Sequence, residues 1–455
     1  MRVPALVGAV LAHVIIGSAS PVASAAVQRD NQKHDLASIF SLAAVDPSVE
    51  DNGLLSNAVG AILNGVTGGK HRSDDQTVEE AWETIQVAVD GKTNLLDIVV
   101  SLALALPGDI LNLLNGYLDF ELNSVDNKNA PLTKTSIYPS KAEGDAPYSV
   151  SEEDLRTAIY IPETFQYGKN GKKPVILVPG TAVPGGLTWY YSFGKLADAV
   201  PEADVVWLNI PGASLADVQV NAEYVAYAIN YISAVSDTNV AVLSWSQGGL
   251  NIQWSFKYWP STRDVVDDFI AISPDFRGTV VADAACPLLS GIYCTPALFQ
   301  QRYETTFIEV LRADGGDSAY VPTTTLYSSF DEIVQPQSGE NASAILNDAR
   351  GVGVTNNHAQ TVCAGQPGGG VYLHEGMLYN PLSWALAADA LRHDGPGDVS
   401  RIDTERVCAD IIAPQLGVDD LLGSEGLLLV AVAEQMVFDQ KPFKEGPIAS
   451  YAHDQ

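Results

Sequence analysis

Residues 240 to 249, Val-Ala-Val-Leu-Ser-Trp-Ser-Gln-Gly-Gly, run an apolar stretch into a serine and then into paired glycines. An apolar strand that breaks at a serine and restarts as a helix is the pattern of a nucleophile elbow, which makes Ser246 a candidate acylating serine. The usual signature is G-x-S-x-G, and Ser244 stands where its first glycine would be. In such a turn the backbone N–H of Gln247, at the start of the helix, points where a tetrahedral oxyanion would form. The same ten residues also suit an ordinary strand, turn and helix, because Ser and Gly are common punctuation. The chain therefore has to supply a base, an acid and a second oxyanion donor.

An apolar run at 174 to 178 is followed by Pro179-Gly180-Thr181, a tight loop that would present the N–H and hydroxyl of Thr181. Two donors, Gln247 and Thr181, are the minimum for holding a developing alkoxide, and losing one such donor costs about 3 kcal/mol in the barrier. The acid is expected after a later strand and before the histidine. Asp331, ending Thr324 to Phe330, meets that requirement, with Glu332 and Asp275 as rivals. The base must then be His358, His374, His393 or His453. His374 is the expected one, since Gly370-Val371-Tyr372-Leu373 leads into it and Gly376 follows, a loop able to lower the ring toward Ser246. No step of such acyl transfer calls for a metal or organic cofactor.

These groups need a scaffold. From Pro174 onward, short apolar runs at 174–178, 204–208, 240–245, 268–273 and 323–328 alternate with helical stretches. That is what a mostly parallel sheet covered by helices on both faces requires, an α/β architecture with its chemistry at the carboxyl ends of the strands. Residues 26–134 lack strand alternation and show helix-compatible segments at 35–45, 51–64, 76–89 and 94–122, read as a helical extension or a propeptide. The polar stretch 127–151 connects it to a catalytic domain at 135–455. Residues 421–438 form a further apolar helix.

The 455 residues are 46% hydrophobic with a formal charge of -30, a globular composition whose surface repels phosphate backbones. A neutral or hydrophobic substrate fits better than a nucleic acid. Residues 1–25 carry Arg2, an apolar run and Ala23-Ser24-Ala25, which read as a secretory signal and hence an extracellular protein without an integral membrane anchor. The apolar run is shorter than the roughly 20 residues that a spanning helix needs. In an oxidising compartment the four cysteines are expected to pair, and proximity favours Cys286–Cys294 and Cys363–Cys408. The seven histidines are scattered with no zinc-binding spacing, and Asn341-Ala342-Ser343 is a glycosylation sequon in loop-like surroundings.

Several longer motifs, in order, carry a resemblance: Leu177-Val178-Pro179-Gly180-Thr181, Trp245-Ser246-Gln247-Gly248-Gly249-Leu250, Ser273-Pro274-Asp275-Phe276-Arg277-Gly278-Thr279-Val280, Pro322-Thr323-Thr324 and Asp331-Glu332-Ile333-Val334-Gln335-Pro336-Gln337. They resemble the Candida antarctica lipase B-like fungal lipases over roughly residues 150–410. The resemblance implies an α/β-hydrolase fold and a secreted, monomeric triacylglycerol lipase acting on ester or acylglycerol substrates, with a carboxylesterase, polyesterase or acyltransferase preferring soluble esters as the alternative and a non-catalytic acidic binding protein as a remote one. It implies Ser246, Asp331 and His374 as triad, Thr181 and Gln247 as oxyanion donors, and Trp245 and Asp275 at the substrate. Cys363–Cys408 resembles a disulfide that the family keeps. The chain departs from the family in its helical leader, in Glu375 where a small residue is expected, and in Cys286 and Cys294 within the lid segment 283–300. A local disulfide there is expected to tether the lid and turn Leu288, Leu289 or Ile292 toward the acyl-binding mouth.

Overall fold

The computed structural model describes residues 53–68, 72–115, 121–283, 294–440, 442 and 444–453. The signal segment, the expected helix at 35–45, and Cys286, Leu288, Leu289 and Ile292 of the expected lid lie outside the described residues. At the centre is a seven-stranded sheet of β1 (Ile159–Tyr160), β2 (Lys173–Val178), β3 (Ala203–Leu208), β4 (Val240–Trp245), β5 (Val266–Ile272), β6 (Thr323–Tyr327) and β7 (Val354–His358). The spatial order is β1-β3-β2-β4-β5-β6-β7. Only the β1–β3 pair is antiparallel. This is the α/β-hydrolase fold.

The expected strands occupy the interior of this sheet, and the two edges are additions. β7 reads Val-Thr-Asn-Asn-His, a polar segment whose strand conformation comes from pairing with β6, Thr323 opposite Val354 through Tyr327 opposite His358. β7 ends at His358, and a short helical turn, Ala359–Val362, follows.

Alternate residues of each central strand enter different cores, as the period of two dictates. Val175 and Leu177 of β2, with Leu243 of β4, face the N- and C-terminal helices. Ile176 and Val178, with Val242, face the helices that follow β3 and β4.

In the N-terminal segment, helices α1 (Gly53–Gly68), α2 (Val78–Val89), α3 (Leu95–Ala105) and α4 (Gly108–Asn115) are described. The continuous helix expected over 94–122 breaks at Leu106-Pro107, where α3 and α4 turn by 115°, because proline lacks the N–H to continue the ladder and restricts the residue before it. α2 starts on a capping box, the Thr77 side chain accepting from the Glu80 N–H and the Glu80 carboxylate from the Thr77 N–H. Ile62, Ile85, Leu102 and Leu111 are buried in the same core as Val175, Leu177 and Leu243.

After the sheet begins, α5 (Val218–Ser236) is capped by Asp217, whose carboxylate accepts from the Gln219 N–H at 2.8 Å. α6 (Gly248–Tyr258), behind the elbow, is buried along its whole length. The later helices are α7 (Pro381–Arg392), α8 (Val418–Glu425) and α9 (Leu427–Val437). The single apolar helix expected at 421–438 is thus two helices meeting at Gly426. Cys363 and Cys408 form a disulfide across 45 residues. Cys294 is buried and disulfide-bonded as well.

Candidate active site

The elbow is visible in the backbone. Ser246 has φ +56°, a left-handed conformation that costs a non-glycine residue about 1–3 kcal/mol and persists only where the surroundings enforce it. They do so here on both sides. β4 lies between β2 and β5, with Ser244 opposite Val178 and Ala271, and the Ser246 N–H donates to the Ile272 carbonyl at 2.9 Å. The chain then enters α6 at Gly248, where a Cβ would lie 2.4 Å from the Val178 carbonyl oxygen. Gly180 is equally constrained: a Cβ there would lie 2.8 Å from Ser246 Cβ. The glycines thus let the Thr181 loop approach the serine and let the helix start under it.

His374 and Asp331 come together from loops 43 residues apart, with Nδ1 2.8 Å from Asp331 Oδ2. Asp331 Oδ1 accepts the backbone N–H groups of Ile333, at 3.0 Å, and Val334, at 2.6 Å, so the carboxylate is oriented before the histidine is added. Both residues are buried, and Nε2 of His374 is sealed from solvent without a hydrogen bond. Nδ1 is tied to the acid, and Nε2 is the ring nitrogen left for chemistry. The Trp245 indole packs on the ring, centroids 5.1 Å apart, and its N–H donates to the His374 carbonyl at 3.3 Å. Ser273 donates to the same carbonyl at 3.1 Å.

The rival residues have other partners. His358 Nε2 lies 2.6 Å from the Ser329 hydroxyl and its Nδ1 2.8 Å from the Thr361 hydroxyl. His393 pairs with Asp389, and His453 Nε2 lies 3.2 Å from the Ile448 carbonyl oxygen. Glu332, the rival acid, accepts the backbone N–H of His374 at 2.8 Å. Adjacent carboxylates therefore grip one histidine twice, by ring and by main chain. Asp275, the other rival, is fully buried, and neither of its oxygens has a hydrogen-bond partner.

Burial works against a charged His374, but the charge and hydrogen bond of Asp331, with Glu332 and Asp275 behind them, outweigh it and hold its pKa above the ordinary histidine value. Desolvation pushes Asp275 up to about 7, against the pull of His374. Glu332 is likewise raised to about 7, by burial of its carboxyl and then by the neighbouring Asp331 charge.

At the oxyanion side, the Thr181 hydroxyl lies 2.7 Å from Gln247 Oε1 and 2.9 Å from Gln301 Oε1. Gln301 Nε2 donates to Gln247 Oε1 at 3.2 Å, which makes the three side chains one network. Gln301 carries no motif that marks it in the sequence. It follows the short helix Pro296–Gln300, and nothing in its spacing separates it from a surface amide.

The fold as a whole has a close counterpart. The crystal structure of Aspergillus fumigatus lipase B matches with a TM-score of 0.88 and 60% sequence identity, covering 92% of this chain and all of that one. The chain belongs to the fungal lipase B family. Lipase B of Pseudozyma antarctica is 37% identical over 226 residues, 48% of this chain; the chain spans 62% of that protein's length. No protein-family model matches. Against this lipase B background, Glu375 stands out, since it is buried directly beside the candidate base. Asn341 of the sequon is exposed in a turn. Among the described residues no single helix is long and apolar enough to cross a membrane.

Proposed function

We propose that this chain is a secreted serine ester hydrolase, a triacylglycerol lipase that works through an acyl-enzyme on Ser246. The reading rests on a left-handed Ser246 at the end of β4 together with a buried His374 whose Nδ1 is held by Asp331 and whose Nε2 is left without a hydrogen bond. Membership of the lipase B family supports the ester substrate.

In this mechanism Nε2 of His374 takes the Ser246 proton as the hydroxyl oxygen attacks the ester carbonyl carbon. The tetrahedral oxyanion is stabilised by the Gln247 N–H and by the N–H and hydroxyl of Thr181. Asp331 holds the ring in the right tautomer and stabilises the imidazolium. The alcohol leaves with the proton from His374; water then gives a proton to His374 as it attacks the acyl carbon, and the Ser246 ester bond breaks as Ser246 takes that proton back, releasing the acid. Because Trp245 packs on His374 and Asp275 lies beside it without partners, both are read as lining the reacting end of the substrate site.

Treatment with a fluorophosphonate probe followed by peptide mapping tests the reading. Modification should fall on Ser246, and Ser246→Ala should abolish both labelling and hydrolysis of a triglyceride emulsion while leaving the folded protein intact. Labelling elsewhere, or an active Ser246→Ala protein, overturns it.

A further inference from the structure

Three glutamates lie in electrostatic contact near the candidate base. Glu332 follows Asp331, Glu375 follows His374, and Glu425 ends α8. Glu375 and Glu425 are each 1% exposed. Glu332 is half-buried as a residue, but its Oε1 is sealed from solvent. One oxygen of each carboxyl, Oε1 of Glu332 and Oε2 of Glu375 and Glu425, is buried with no hydrogen-bond partner.

The remaining contacts tie two parts of the fold together. Glu332 accepts the His374 N–H, and the Tyr379 hydroxyl donates to Glu425. Residues Glu375–Leu378 form a single tight turn directly after His374. α8 packs on that turn, and it also packs on α2 and α4 of the N-terminal helices. Trp82 of α2 packs tilted against Tyr372 and edge-on against Tyr379, centroids 4.7 and 6.2 Å away.

Buried carboxyls that repel one another keep protons unless a cation compensates them. The titratable groups acting on these three are Asp331, His374, Tyr379 and one another, and Tyr379 in turn senses Tyr372. Among the described residues no lysine or arginine acts on them. Burial raises Glu425 to about 8. Burial, with the charges of Glu332 and Glu425, raises Glu375 well above the carboxylate range.

We propose that Glu375 and Glu425 are positioning residues that work as neutral carboxylic acids, clamping the turn that carries His374 against α8 and releasing it when they ionise. The clamp rests on the ester-hydrolase reading only for its activity readout. A carboxyl whose folded pKa exceeds its unfolded value contributes stability that is complete below the unfolded pKa and is lost as pH rises through the folded one. For Glu425 that window runs from the ordinary glutamate range to about 8.

The test compares the full chain with Glu375→Gln and Glu425→Gln, which keep shape and neutrality, and with exposed Glu163→Gln as control. Thermal midpoints and kcat and KM on a water-soluble ester are measured from about pH 5 to about pH 9. Both buried-site variants should show a flatter decline of the midpoint with pH than the parent and the control. Their alkaline loss of kcat should move up by about one pH unit, with KM little changed. Curves parallel to the parent overturn the clamp, even where every midpoint is lowered, because that pattern belongs to packing alone. If the variants do not fold, infrared spectra of the unaltered protein labelled with 13C-glutamate decide instead. Protonated glutamate persisting above about pH 7 supports the clamp, and its absence overturns it. Normal probe labelling of Ser246 alongside parallel curves leaves the hydrolase reading standing, whereas flat midpoint curves without labelling leave the clamp standing and remove the hydrolase reading.

Discussion

The hydroxyl of Thr181 lies 2.7 Å from the side-chain carbonyl oxygen of Gln247. With Gln301 Oε1 at 2.9 Å as the alternative acceptor, the single hydroxyl proton is directed to one amide or the other in the resting state. To serve an oxyanion it must rotate away from both, so the ester's own developing charge has to outbid a neutral hydrogen bond, which charge-assisted bonds do.

Thr181→Val keeps the shape and backbone N–H of the loop and removes that rotation. The expected result is a barrier higher by roughly 2–4 kcal/mol, read as a fall in kcat/KM on a soluble ester. Thr181→Ser should retain most of the activity. An unchanged kcat/KM in the valine variant would reduce Thr181 to a turn residue.

The two adjacent carboxylates on His374 should separate in their effects. Asp331→Asn leaves a side chain of the same size but removes the charge facing Nδ1, and kcat should drop by about 10⁴. Glu332→Gln keeps an oxygen for the His374 N–H and should cost less than about tenfold, since a neutral hydrogen bond replaces a charge-assisted one. Equal losses would mean that the ring has no preferred acid.

The acid limb of the kcat/KM profile reports the free enzyme's base. Because His374 is held above the ordinary histidine value, activity should decline as pH falls through a midpoint above about 6.5. Asp275 contributes to that elevation through its charge, so Asp275→Asn should move the acid limb to lower pH. A profile that does not move, measured by stopped-time assays on one soluble ester, would remove Asp275 from the electrostatics of the base.

The Cys363–Cys408 bridge closes a separation of 45 residues, and by chain entropy alone it should contribute about 4 kcal/mol. The Cys363→Ser, Cys408→Ser double variant should unfold at correspondingly lower denaturant concentration. A midpoint shift near zero would show that the packing around Tyr372 and Ala413 carries this region without the bond.

The sequence by itself determined the interior of the sheet and the elbow. Apolar runs of five to six residues, each followed by a helical stretch, mark β2 to β6 because buried parallel strands need apolar side chains on both faces. Ser246 was legible for a related reason: the strand, the turn and the glycines that let it approach its neighbours are contiguous. What only the tertiary structure decided involves partners far apart in the chain. Four histidines satisfied the order of a triad, with His374 the expected one, and only the fold shows its hydrogen bond to a residue 43 positions away. β7 was hidden because Thr355, Asn356 and Asn357 have no apolar pattern; pairing with β6, not side-chain burial, makes it a strand. The expected C-terminal helix was rich in Leu and Val, and its break at Gly426 appears only where α8 packs against the turn after His374 and α9 against α3. Glu375 and Glu425 look like surface charges when read along the chain. Folding removes both from water and sets them in electrostatic contact 50 residues apart, which no local pattern of hydropathy can encode.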